Sequence, residues 1–163
     1  MATIDDQLNK HIDEALAMEQ NVARMLDRMI ETTHVRELKS DFQHHKRETQ
    51  EHVERLQKRL DDRGAVQPPA REAVGMLGAM MKGVLDKARS EKAGRNARDA
   101  YATEHLEIAS YELLERIAKR AGDEETAKVA RKNRVDEEAM AKKIETQWDR
   151  FAELSLDEAG VKV

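Results

Sequence analysis

Four stretches of this chain, each about 28 residues or ~40 Å of helix, keep an apolar residue at every third or fourth position. Each also carries a carboxylate on or beside that apolar stripe. Leu8, Ile12, Ala15, Glu19, Val22, Leu26 and Met29 make the first stripe. Phe42, His45, Thr49, His52 and Leu56 make the second, with Glu48 flanking it. Further on, Tyr101, Glu104, Ile108, Tyr111, Leu114 and Ile117 recur at helical spacing, with Glu107 beside them. The last stripe reads Ala130, Asn133, Glu137, Met140, Ile144 and Trp148. A helix of a soluble protein is stabilised chiefly by burying such a face, so the pattern requires helix-on-helix packing with acidic groups inside it.

The punctuation between the stretches sets the connectivity. The first segment runs from about Ile4 to Glu31 and the second from about Val35 to Asp62, with a turn at 32–34. Gly64 and the pair Pro68–Pro69 end the second segment. A shorter third segment, about Ala70 to Glu91, carries Met76, Met80 and Met81 among glycines, which suits soft packing or a subunit contact. The fourth runs from about Gly94 to Gly122. The fifth starts at Asp123, a suitable N-cap, and continues past Trp148 and Phe151 towards Leu154. Short loops make each hairpin antiparallel, and the long middle connection crosses between the bundle's ends. The expected fold is all-α: a ferritin-like antiparallel four-helix bundle with an extra crossover helix between the second and third long helices, forming one domain over 1–163.

Composition narrows the function. The 163 residues include no cysteine, which excludes thiolate metal sites and cysteine nucleophiles. A net charge of −4 with interspersed signs gives no basic patch for nucleic acid. The acidic N-terminus MATIDDQLNKH lacks a signal-peptide core, and no apolar run approaches the ~20 residues of a membrane span. A cytoplasmic location without membrane or nucleic-acid partners is expected.

The carboxylates match in height. With turns near 33 and 122, Glu19 faces residue 47 or 48, and Glu107 faces Glu137. Unpaired buried carboxylates each cost several kcal/mol even after relaxation. Two divalent cations offset that cost, and bundles of this type build di-iron or di-manganese sites from Glu and Glu-x-x-His positions. The predicted ligands are Glu19, Glu48, His52, Glu104, Glu107 and Glu137. His45, about 10 Å from His52 along the axis, is a supporting or alternative ligand. Tyr101 and Tyr111 flank the carboxylates, either supporting the ligands or packing in the core. Each stripe Glu taken alone also fits a boundary residue paired with Arg, and each His a hydrogen-bonded core residue. Because Glu137 is followed by Met140 and Ala141 rather than His, the reading expects unequal ion positions. The tighter lies by Glu48 and His52, the weaker by Glu137 and Glu104.

"EHLEIASYELL", "RDAYATEH", "HHKRETQEHVERL" and "AMEQN" resemble the ferritin-like stress proteins of the YciE/YciF type. The resemblance spans about Asp5 to Leu154. It implies a ferritin-like bundle, a homodimer and a dinuclear metal site, with Glu19, Glu48, Glu104, Glu107 and Glu137 at the family's acidic positions. Ala141 stands where many relatives are acidic. The expected function is a carboxylate-bridged site holding two iron ions, with manganese or zinc as alternatives, that oxidises Fe(II) or handles oxygen or peroxide under stress. With no cysteine-bound iron, electrons come from a separate donor or from Fe(II) itself. The competing expectation is a structural or partner-binding bundle whose metal is static or absent.

Overall fold

The computed structural model describes residues 1–65 and 92–161. The third predicted segment, with Met76, Met80 and Met81, lies outside them. Among the described residues the elements are α1 (Ile4–Thr32), α2 (Arg36–Asp62), α3 (Lys92–Arg120), α4 (Glu124–Glu145) and α5 (Trp148–Glu158).

Local chemistry sets the ends. Thr3 caps α1 in a capping box: its hydroxyl accepts from the Asp6 N–H, and its own N–H donates to the Asp6 carboxylate. α3 ends on Gly122 at φ 73, a left-handed position that costs glycine nothing. The N–H groups of Asp123 and Gly122 return to the Ala118 and Lys119 carbonyls, closing the helix in the Schellman manner. Asp123 then caps α4 by accepting from the Thr126 N–H at 2.9 Å. One glycine and one aspartate thus make the whole reversal.

Asp123 also fastens the two hairpins together, because Arg59 and Arg63 at the end of α2 donate to it at 3.2 and 2.6 Å. Burial opposes ionisation there, but Thr126, Arg63 and Arg59 outweigh it and hold the carboxyl at about 2. Its ordinary value is 3.8, so its contribution to stability is complete above ~4 and disappears as pH falls through ~2. Asp123→Ala is expected to cost about 1–2 kcal/mol at pH 7, the usual value of a lost N-cap. It should also flatten the acid limb of a denaturation profile between pH 4 and 2. A variant as stable as the parent at pH 7 would show the junction to be idle.

The cross-links give the directions. Lys46 reaches Asp27 and Arg63 reaches Asp5, so α1 and α2 are antiparallel. Arg131 pairs with Glu115, and Tyr111 with Asn133, so α3 and α4 are antiparallel too. Thr103 touches Met25 and Asn96 touches Thr32, which sets α1 against α3 in opposite senses. α2 therefore ends at the opposite end of the bundle from where α3 begins, and residues 66–91 join the two ends. This is the ferritin-like arrangement.

The fifth predicted segment is not continuous. The helical ladder breaks at Thr146–Gln147, and α5 turns across the start of α3. There Ser155 accepts from the Gly94 N–H and Glu158 from the Ala93 N–H, both at 3.1 Å. The first turn of α3 is thus capped by another helix, and Gly94 leaves the room for it because a β-carbon would collide with Ser155. Phe151 seats in the core beside Ala97 and Ala100.

The core is two apolar clusters with a polar layer between them. One gathers Met25, Leu26, Met29, Phe42, Ala100 and Met140; the other gathers Leu8, Ile12, Leu56, Leu60, Leu114 and Ala130.

Candidate metal centre

Every helix of the bundle contributes to that layer. Glu19 comes from α1, His45 and His52 from α2, Glu104 and Glu107 from α3, and Glu137 from α4, and all six are at most 1% exposed. Helical spacing explains the pairs. Glu104 and Glu107 are three apart and share a face, while His45 and His52 are seven apart and lie two turns along one stripe.

The ligand-type atoms form two overlapping groups, within each of which every atom is inside 4.8 Å of the others. One holds His45, Glu104, Glu107 and Glu137; the other holds Glu19, His52 and Glu137. Glu137 belongs to both. His45 Nε2 stands 3.3 Å from Glu104 Oε2 and 3.3 Å from Glu137 Oε2. His52 Nδ1 stands 2.9 Å from Glu137 Oε1 and 3.3 Å from Glu19 Oε1.

The outward nitrogens are held as well. His45 Nδ1 meets Glu48 at 3.2 Å, and His52 Nε2 meets Asp136 at 3.0 Å. Such carboxylate–histidine couples fix the orientation of each ring, leaving the inner nitrogens facing Glu104, Glu137 and Glu19. Tyr111 donates to Glu19 and accepts from Asn133 Nδ2 at 3.0 Å, which orients the Glu19 carboxylate.

What is left over is compatible with a cation site. Both oxygens of Glu107 and one of Glu19 are buried without a hydrogen-bond partner, while both of Glu137, one of Glu104 and His45 Nε2 make no well-aligned hydrogen bond and meet only one another or His52 at ion-pair distance. Buried polar atoms are nearly always satisfied, so such a concentration can be met either by bound cations or by protons. Four buried carboxylates carry −4 when ionised, and two divalent cations balance them.

Without a cation, the protons move. Burial pushes Glu107 well above the ordinary carboxylate range, and Glu137, Glu19 and Glu104 push the same way. Burial also raises Glu19, against opposing help from His52. Burial raises Glu137 to about 7 despite the pull of His52. Burial disfavours both imidazolium forms, yet the carboxylates win: His45 is raised well above its ordinary value and His52 to about 10. Burial raises Tyr111 far up, and Glu19 adds to that, so it is a phenol.

The structure brings Glu19, His52, Glu104, Glu107 and Glu137 together with His45 and leaves Glu48 and Tyr101 outside both groups. Glu48, expected as a ligand, stands outside both groups. It is half-buried and bonded to His45 and His44, so the three-residue step from His45 to Glu48 makes a local couple. His45 is in the four-residue group, and its distance from His52 serves two positions instead of excluding one of them. Glu137 is common to both groups, and the group beside Glu104 has four residues where the one beside His52 has three. Tyr101 packs against Trp148 and His105 at the bundle's flank, with ring centres 5.5 and 4.5 Å away. This follows from α3 presenting Glu107 and Tyr111 inward, while Tyr101 and Ile108 are only partly buried. Asp136 escaped the sequence reading. Its signal was its place next to Glu137, opposite His52 across the bundle.

No curated protein matches this chain. Among solved structures, its fold is similar to that of the Escherichia coli stress protein YciF, at 21% identity and TM-score 0.76, covering 99% of this chain and 100% of that one. YcfI of Rhodopseudomonas palustris, described as a candidate structural protein, is 27% identical with TM-score 0.75, covering 89% of this chain and 94% of that one. A ferritin-like, diiron-carboxylate protein of Bacillus anthracis shares 17% identity at TM-score 0.75, covering 91% of this chain and 99% of that one. The domain of unknown function DUF892 matches residues 3–155, nearly the whole sequence, and this chain belongs to that family.

Proposed function

We propose that the chain is a carboxylate-bridged dinuclear metal protein, most suitably di-iron, that oxidises Fe(II) or handles oxygen or peroxide during stress in the cytoplasm, as a homodimer supplied by a separate electron donor. The observation that carries the metal reading is the pair of ligand groups sharing Glu137, whose buried carboxylates have only imidazoles and one tyrosine to answer them. Oxygen-rich donors with two imidazoles suit iron or manganese, and zinc is the redox-silent alternative.

Glu137 would bridge. His45, Glu104 and Glu107 would complete one position, and Glu19 with His52 the other. Bound there, a redox-active metal pair supplies one-electron steps towards oxygen or peroxide. The protein's part is to hold and insulate. Glu48 and Asp136 keep the imidazoles in register, Tyr111 and Asn133 fix Glu19, and the apolar clusters above and below exclude water. No helix among the described residues is long and apolar enough to cross a membrane, in keeping with this role.

The experiment is metal analysis of protein made in iron-supplemented medium, with anomalous scattering to place the ions, followed by Fe(II) addition to stripped protein in air. About two ions per chain and oxygen uptake are expected. Zinc or manganese held without turnover would instead favour a static, structural bundle. A chain that takes up no metal under any of these conditions would overturn the metal reading.

A further inference from the structure

The centre is sealed along the bundle axis, since an apolar cluster lies on each side of it. A hydrated cation cannot cross either cheaply. The seam between α2 and α4 is different. Its cross-links are polar: Arg59 to Asp123, Arg55 to Asn133, His52 to Asp136 and Lys143 to Asp41. In that seam opens a cleft of about 170 Å³, lined by Asp41, His44, His45, Glu48, Asp136 and Lys143 among others.

We infer that this cleft is the access route by which divalent cations reach the buried centre, an inference that rests on the metal reading above. Three observations converge on it. His45, 1% exposed, lines the cleft and also belongs to the four-residue ligand group, so it is the wall between them. Glu48 and Asp136, which hold the outer nitrogens of His45 and His52, both line the same cleft, so both couples open onto one space. Three carboxylates in the lining outnumber its one lysine, which gives the mouth the sign that concentrates cations.

The geometry suggests the order of contacts. His44, exposed at the rim, has Nε2 3.3 Å from Glu48 Oε1, offering one nitrogen and one oxygen to an arriving ion. Glu48 keeps partial solvent contact and meets His44 with one oxygen and His45 with the other, linking the rim to the inner histidine. Lys143, paired with Asp41, places the opposing charge at the rim and acts as a brake.

The test is the rate of Co(II) uptake by the chelator-stripped full-length chain, followed by visible absorption in a stopped-flow instrument. Ala139 is an exposed residue of the lining. Ala139→Trp should fill the cleft and slow uptake about tenfold or more, with final stoichiometry unchanged. Lys143→Glu should accelerate uptake by roughly threefold to tenfold at low salt, an advantage lost at high salt. The second variant reverses a rim charge and releases Asp41 without filling the core, so it decides the matter even where the tryptophan disturbs folding. Wild-type rates in Lys143→Glu at low salt, with normal final binding, would place the route elsewhere. A wild-type chain that never takes up Co(II) would overturn both the route and the centre.

Discussion

Glu137→Met is expected to abolish both metal-binding events. Glu137 is the residue common to the two ligand groups, so its loss removes an oxygen from each. Affinity should drop by more than ~100-fold at both positions, because even outer-shell partners of a metal ligand are worth roughly 10–100-fold. Other substitutions should separate the positions. His45→Ala and Glu104→Ala should weaken one event, and His52→Ala and Glu19→Ala the other. Titrating Mn(II) into stripped protein by calorimetry reads these effects. Two intact binding events in Glu137→Met would refute the shared-ligand arrangement.

Acid should stabilise the metal-free protein and destabilise its metal complex. Glu137 is raised from an ordinary 4.5 to about 7, so its stabilising contribution exists below ~4.5 and is lost as pH rises to ~7. His52 is raised from 6.5 to about 10, so its contribution is complete below ~6.5 and is lost as pH climbs towards ~10. Both slopes run the same way, and Glu107 and Glu19, also raised, add to the fall. The Glu137 rise alone corresponds to about 3 kcal/mol. Stripped protein should therefore melt about 5–10 °C higher at pH 5 than at pH 8. Metal competes with those same protons, so its affinity and the stability it confers should grow with pH. Melting curves from pH 5 to 8, with chelator and with excess Mn(II), should diverge as pH rises. Parallel curves, or a stripped protein that is more stable at pH 8, would contradict a core of crowded carboxylates.

The sequence alone carried the architecture. Long amphipathic repeats, the reversal at Gly122–Asp123 and the long connection after Asp62 leave few folds besides the ferritin-like bundle. These signals are local: periodicity chooses the buried face, and glycine and capping residues choose the ends. The same periodicity exposed Glu19, Glu104, Glu107, Glu137 and His52 as polar residues facing inward, because an acidic residue at the centre of an apolar stripe is visible without coordinates.

Only the tertiary structure decided how those residues are divided. A stripe tells which way a side chain points to within about one helical position, or 100°. That uncertainty separates Glu48 beside His45 from Glu48 among the ligands, and Tyr101 at the flank from Tyr111 in the core. Axial stagger between helices is set by packing across the bundle, and it gave His45 to Glu104 and His52 to Glu19. Asp136 became legible only there, since its partner His52 is 84 residues away in the chain. The break at Thr146–Gln147 belongs to the same class. No proline or glycine marks it, and the reason for it lies on another helix, where Ser155 and Glu158 satisfy N–H groups that α3 leaves open.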